Sequence, residues 1–123
     1  MKIVALVGSI RQDSYSKSLA EAIQKIIPEG SFMSLAKPLD GIPNYNEDLE
    51  KELPVEVERL RKDLYAADAL LIVTPEYNAG PPGLLKNAID WASRPHKSSP
   101  LQGKPTLVVS NSPMPFGGLW AKE

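Results

Sequence analysis

The chain has 123 residues, 42% hydrophobic and 24% charged, and 14 basic against 15 acidic residues leave a net charge of -1. This balance gives no global pull toward nucleic acid or anionic lipid, and the length suits a single domain with a buried core. The absence of cysteine removes disulfides, thiolate chemistry and cysteine-held metals, and a single histidine, His96, cannot by itself build a zinc site. No apolar run reaches the length of a bilayer span. The first residues lead into a strand pattern rather than a signal peptide, so a cytoplasmic domain without nucleic-acid or membrane partners is expected.

Ile3-Val4-Ala5-Leu6-Val7 has the length and β-branched content of a strand buried on both faces. Gly8 then lets the backbone turn sharply. From Ser16, the spacing of Leu19, Ile23, Ile26 and Ile27 predicts a helix, with Pro28 and Gly30 as stop signals. Between strand and helix lies Ser9-Ile10-Arg11-Gln12-Asp13-Ser14-Tyr15-Ser16. The first amides of a helix lack intrahelical partners, so an anion there gains hydrogen bonds and a favourable dipole. Ser9, Ser14 and Ser16 add hydroxyl donors, and Arg11 adds a fixed positive charge with a planar donor fork. The loop therefore reads as a phosphate cradle. Taken alone, it reads equally as a serine-capped helix after an ordinary strand.

Ser31 to Leu35 is short and roughly alternating, which suits an edge strand. Ala36 to Pro54 forms a long proline-punctuated loop, with one helical turn near Asp48 to Lys51. The cluster Glu47, Asp48 and Glu50 suits a helix start rather than a metal site. Val57, Leu60, Leu64 and Ala67 mark a second amphipathic helix over 55–67, with Pro54 in its first turn. Ala69 to Thr74 repeats the character of the first strand. The loop Pro75-Glu76-Tyr77-Asn78 through Gly83 follows, then a third helix from about Pro82 to Ser93 with Leu85, Ala88, Ile89 and Ala92 as its buried stripe. Pro105 to Ser110 is a fourth strand, and Ser110 to Gly118 a third loop leaving a strand's end. Alternating strands and helices imply a parallel sheet with right-handed crossovers. Ligands bind such sheets beyond the C-terminal strand ends, where the winding reverses, and the three unusual loops converge there.

Gly8 to Ser16 resembles the G-S-x-R-x-x-S-x-N signature of the NADPH-dependent FMN reductase family, which has a flavodoxin-like fold. Thr74-Pro75-Glu76-Tyr77-Asn78 with Leu84 to Trp91 resembles the family's TPEYN and LKNAIDW segments. Tyr45 to Asp48 and Gly103-Lys104-Pro105 match further recurring segments, so the similarity covers essentially the whole chain. It implies one flavodoxin-like FMN-binding domain over 1–123, a three-layer α/β fold with an open parallel sheet of strand order 2-1-3-4. It assigns the FMN phosphate to Ser9, Arg11, Ser14 and Ser16, and the ribityl chain and ring to Pro75, Glu76, Tyr77 and Asn78. Ser110 and Ser112, on the third loop, border the flavin's other side. NADPH or NADH is the implied electron donor, with quinones, azo dyes, metal oxyanions or free flavin as acceptors, and a homodimer or homotetramer as the assembly. Because the flavin supplies the chemistry, no catalytic side chain and no metal ligand is assigned.

The chain departs from the family pattern in four places. Ser16 stands where asparagine is common, Ala79-Gly80 where an aromatic residue and a serine often follow TPEYN, and Met114-Pro115 within a typically glycine-rich loop. Family members also continue through a fourth helix, a fifth strand and a final helix, so the chain reads as C-terminally shortened. Two consequences are expected: bare apolar side chains of the third and fourth strands on the first helix's face, either covered by self-association or leaving the fold marginally stable, and a non-catalytic flavin-binding remnant as the alternative function. For Asp90 and Trp91 the resemblance implies a dimer contact, and the residues alone a half-buried helix face.

Overall fold

In the computed structural model, which describes residues 1–123, the two continuous apolar runs become Lys2–Val7 (β1) and Ala69–Pro75 (β3), adjacent in the middle of the sheet. Phe32–Leu35 (β2) pairs with the free side of β1, and Thr106–Asn111 (β4) with the free side of β3. All pairings are parallel and the order is β2-β1-β3-β4. This is the doubly wound arrangement expected.

Alternation along the central strands divides the core between two layers. Val4, Leu6, Leu70 and Ile72 point to one face, where they meet Val57, Leu60 and Leu64 of α2 (Val55–Ala66) and Leu85, Ala88, Trp91 and Ala92 of α3 (Gly83–Ala92). Ala5, Leu71 and Val73 point to the other, where Ala20 of α1 (Tyr15–Ile26) and Met33 of β2 close over them. Placing α1 opposite α2 and α3 follows from right-handed crossovers on a sheet that winds outward from β1 in both directions.

The long loop after β2 carries two 3-10 turns, Leu39–Gly41 and Glu47–Lys51, the second capped by the Asn46 side chain, which accepts from the Asp48 amide at 3.0 Å. The side chains of α3 hold this loop. Asn87 Nδ2 donates to the carbonyls of Ile42 and Pro43 at 3.3 and 3.0 Å, and Asn87 Oδ1 accepts from the Tyr45 amide at 2.7 Å. The Trp91 indole donates to the Pro43 carbonyl at 2.8 Å, and its ring meets that of Tyr45 edge-on. Trp91 is 0% exposed, so it is neither a surface contact nor half-buried. Its carbonyl accepts two bonds from the buried Arg61 guanidinium, which closes the end of α3. Asp90 faces solvent and pairs with Lys86 at 2.6 Å.

Bare apolar surface on the α1 face is narrower than expected. Leu71 and Val73 of β3 are buried beneath α1, because its small residue Ala20 lets the helix lie close. Exposure is concentrated on β4, where Leu107 is 60% exposed beside an apolar cavity of about 390 Å3 lined by Ile3, Ile23, Ile27 and Met33.

Candidate functional site

The backbone continues its ladder one residue past β1: the Gly8 amide donates to the Val73 carbonyl at 2.8 Å. Gly8 makes the expected bend after β1, and does so without a left-handed conformation that would itself demand glycine. Space decides instead. A Cβ at Gly8 would lie 3.0 Å from Thr74 Oγ1 and 3.2 Å from both Leu85 Cδ2 and Pro75 Cδ. The loop is thereby seated directly against the end of β3.

Helix α1 starts one residue earlier than its apolar spacing indicates. Ser14 is the N-cap, its Oγ accepting from the Lys17 amide at 3.0 Å. The amides of Ser9 through Asp13, and those of Tyr15 and Ser16, donate to no group of the protein. They lie in the loop and first turn, where the helix dipole favours negative charge. Arg11 is exposed, sits 6.0 Å over the Tyr15 ring and forms no ion pair. Ser14 and Ser16 are almost fully buried, at 3% and 1% exposure. Capped helix start and anion cradle, the two readings of this loop, are thus compatible: Ser14 Oγ accepts as the cap and retains a proton to donate.

The second loop turns back at once after β3. Tyr77 and Gly80 exchange both backbone hydrogen bonds, at 2.9 and 3.2 Å, around Asn78 and Ala79 with φ of 53° and 58°. Positive φ at both central positions defines a type I′ turn. Glu76 reaches across to the 3-10 turn Trp120–Lys122 that follows the third loop, its Oε2 accepting from the amides of Trp120 and Ala121 at 2.8 and 3.1 Å. Ser110 Oγ donates to the Gly117 carbonyl at 3.1 Å and folds that loop back on β4.

Of the residues singled out in the sequence, Ser9, Arg11, Ser14, Ser16, Pro75, Glu76, Tyr77 and Ser112 line one cavity of about 180 Å3. Asn78, at the turn's tip, and Ser110, engaged with Gly117, lie outside its lining. Asn111, absent from the sequence-based set, lines it too: Nδ2 donates to Ser16 Oγ at 2.7 Å and to the Thr74 carbonyl at 3.3 Å. A polar residue closing an apolar strand at the ligand edge was the available signal. Pockets enclosing a whole drug-sized ligand run to about 300–1,000 Å3, so this enclosure fits an anionic head group rather than an entire planar cofactor. A larger groove of about 920 Å3 runs along α2 past Arg59 and Tyr65, away from the strand ends where the three loops meet.

A family model described as NADPH-dependent FMN reductase matches residues 1–123. A quinone reductase of Pseudomonas putida is 44% identical over 122 residues, covering 98% of this chain and 65% of the relative. A 2-hydroxy-1,4-benzoquinone reductase of a Burkholderia species is 41% identical over 112 residues, 91% of this chain and 61% of the relative. Among solved structures, the Paracoccus denitrificans flavoenzyme NAD(P)H:(acceptor) oxidoreductase FerB superposes with a TM-score of 0.91 at 38% identity, covering 98% of this chain and 66% of that one. A flavodoxin WrbA-like protein of Agrobacterium tumefaciens, 22% identical with a TM-score of 0.56 over 98% of this chain and 66% of that one, shares the fold. The chain spans about 65% of the length of the first of these curated relatives.

Proposed function

Because this chain belongs to the NADPH-dependent FMN reductase family, we propose that it binds FMN by its phosphate in the Ser9–Ser16 loop and passes electrons from NADPH or NADH to a small acceptor. The observation that carries this reading is that Ser9, Arg11, Tyr15 and Ser16, whose amides have no protein acceptor, line one cavity with Ser14 and the Arg11 side chain at the C-terminal edge of β1 and β3. The donor set fits a phosphate dianion. Amides and hydroxyls supply directed hydrogen bonds, Arg11 supplies charge not already paired, and the buried Ser14 and Ser16 keep water from competing for the same positions.

Bound flavin supplies the hydride and electron chemistry. The chain's own residues hold and orient it. Glu76 ties the second loop to the turn that follows the third, and the turn at Asn78-Ala79 points the Tyr77 ring outward, where it is exposed at the cavity's rim. Quinones are the acceptor class supported by the names of the relatives; azo dyes, metal oxyanions and free flavin belong to the same proposal. The proposal extends to a homodimer or homotetramer in the cytoplasm, supported by the exposed apolar surface of β4 and the absence of any helix long and apolar enough to cross a membrane.

Purified protein reconstituted with FMN should retain it through gel filtration, be yellow, and lose the flavin colour when NADPH is added without oxygen. Protein that remains colourless after incubation with FMN would overturn the proposal. Retention of FMN without bleaching by NADPH or NADH would favour the non-catalytic flavin-binding reading.

A further inference from the structure

We infer that Asn111 is a positioning residue of the anion cradle: it engages the Ser16 oxygen so that the Ser16 proton is left to the bound phosphate. This rests on the FMN reading of the site. Asn111 stands at the end of β4, level with Pro75 in the strand register, and Ser16 is in the first turn of α1. A single Nδ2 contacts both Ser16 Oγ, at 2.7 Å, and the Thr74 carbonyl, at 3.3 Å. The Thr74 carbonyl accepts only. It therefore fixes which way the amide is turned, since the reversed amide would set two carbonyl oxygens against each other. With the NH2 group facing Ser16, the serine oxygen is the acceptor of that bond.

A hydroxyl has one proton, and no group of the protein accepts it from Ser16. Ser16 is 1% exposed, so solvent does not readily take its place. Leaving such a proton unbonded costs free energy. Its open side is the cavity it shares with Ser9, Arg11 and Ser14. Asn111 thus turns a buried serine, able to donate or accept, into a dedicated donor, and does so from the third loop's side of the site. An anion gains one aligned donor. An uncharged ligand without the phosphate gains nothing from it.

The test is a double-mutant cycle on the full chain, read by flavin fluorescence quenching with FMN and with riboflavin. Asn111→Ala is expected to weaken FMN binding about three- to tenfold, the equivalent of one hydrogen bond, with riboflavin binding unchanged. In a Ser16→Ala background the same substitution is expected to change FMN affinity less than about twofold, because its route to the ligand is gone. The ratio of the two ligands separates this from a general loosening of β4, which affects both. Asn111→Asp, of the same shape, serves if the alanine variant does not fold. It accepts the serine proton and should lower FMN affinity more, with a smaller effect once Ser16 is alanine. An FMN affinity unmoved by Asn111→Ala, or a loss that persists undiminished in the Ser16→Ala background, overturns the assignment. Wild-type protein that takes up no FMN overturns the functional reading, and this one with it.

Discussion

Replacing Glu76 by alanine should release the Trp120–Lys122 turn, which follows the third loop, from the second loop without touching the hydrophobic core. One carboxylate oxygen accepts from two consecutive amides, those of Trp120 and Ala121, 44 and 45 residues further along the chain. Hydrogen bonds to charged groups contribute about 1.5–3 kcal/mol each. Here they share one oxygen, and the Trp120 bond is exposed, so the pair is placed at the low end, about 2 kcal/mol together. If the two amides exchange by local opening, that difference corresponds to roughly thirtyfold faster hydrogen exchange. Amide exchange followed by NMR reads Trp120 directly, and Ala121, whose amide also donates to the Gly118 carbonyl at 3.2 Å, should respond less; Gln in place of Glu76 is expected to fall between wild type and alanine. Global stability, from urea unfolding, should fall far less than the local value. Unchanged exchange at Trp120 and Ala121 in the alanine variant would refute the assignment of Glu76 as the tie between the second loop and that turn.

Arg11→Ala should weaken FMN affinity by about 1–3 kcal/mol through loss of a charge-assisted phosphate contact, and riboflavin affinity little, as titration by fluorescence quenching would show. Gly8→Ala should destabilise the fold by about 1–3 kcal/mol in urea, since its methyl meets Thr74, Pro75 and the core residue Leu85 at 3.0–3.2 Å. The Tyr45 hydroxyl donates to the Glu50 carboxylate at 2.6 Å, and this bond holds its pKa above the ordinary 10.0. A group that is more easily kept protonated in the folded chain adds stability below pH 10.0, and that contribution disappears as pH rises through the raised folded value. Thermal unfolding should therefore show Tyr45→Phe less stable than wild type at neutral pH, with the difference shrinking in alkali.

What could be read from the residues depended on how far away their partners lie. The runs at Ile3–Val7 and Ala69–Val73 declare two-sided burial locally, and Ser14 declares a helix cap three residues from the amide it serves. The gathering of the three loops followed from connection rules, and the strand order from the family resemblance. Asn111 escaped because its partner Ser16 is 95 residues distant, and nothing in the motif around either residue announces the pair. Glu76 belongs to a motif that the resemblance places on the flavin largely through backbone groups, and the partners of its carboxylate, amides 44 and 45 residues away, are announced by no local pattern. Trp91 and Asn87 sit on a helix whose periodicity marks a buried stripe, but their bonds to the Ile42–Tyr45 backbone depend on the path of a loop without periodicity. The bend at Gly8 is legible as a glycine closing an apolar run, though it needs no left-handed conformation. The crowding that requires glycine there exists only once β3 and α3 are in place.

The two faces of the sheet are unequally filled: fourteen buried residues on the side of α2 and α3, five on the side of α1. Helix α1, whose first turn forms the cradle, therefore rests on the thinner layer. Segments with fewer buried apolar contacts open at lower free energy than the whole molecule. A ligand bound only by the closed form adds about 2.7 kcal/mol to its stability at a hundred times its dissociation constant. Ligand and helix are then coupled through order rather than through movement. Protection should rise most along Tyr15–Ile26 when the cradle is filled, and least along α3.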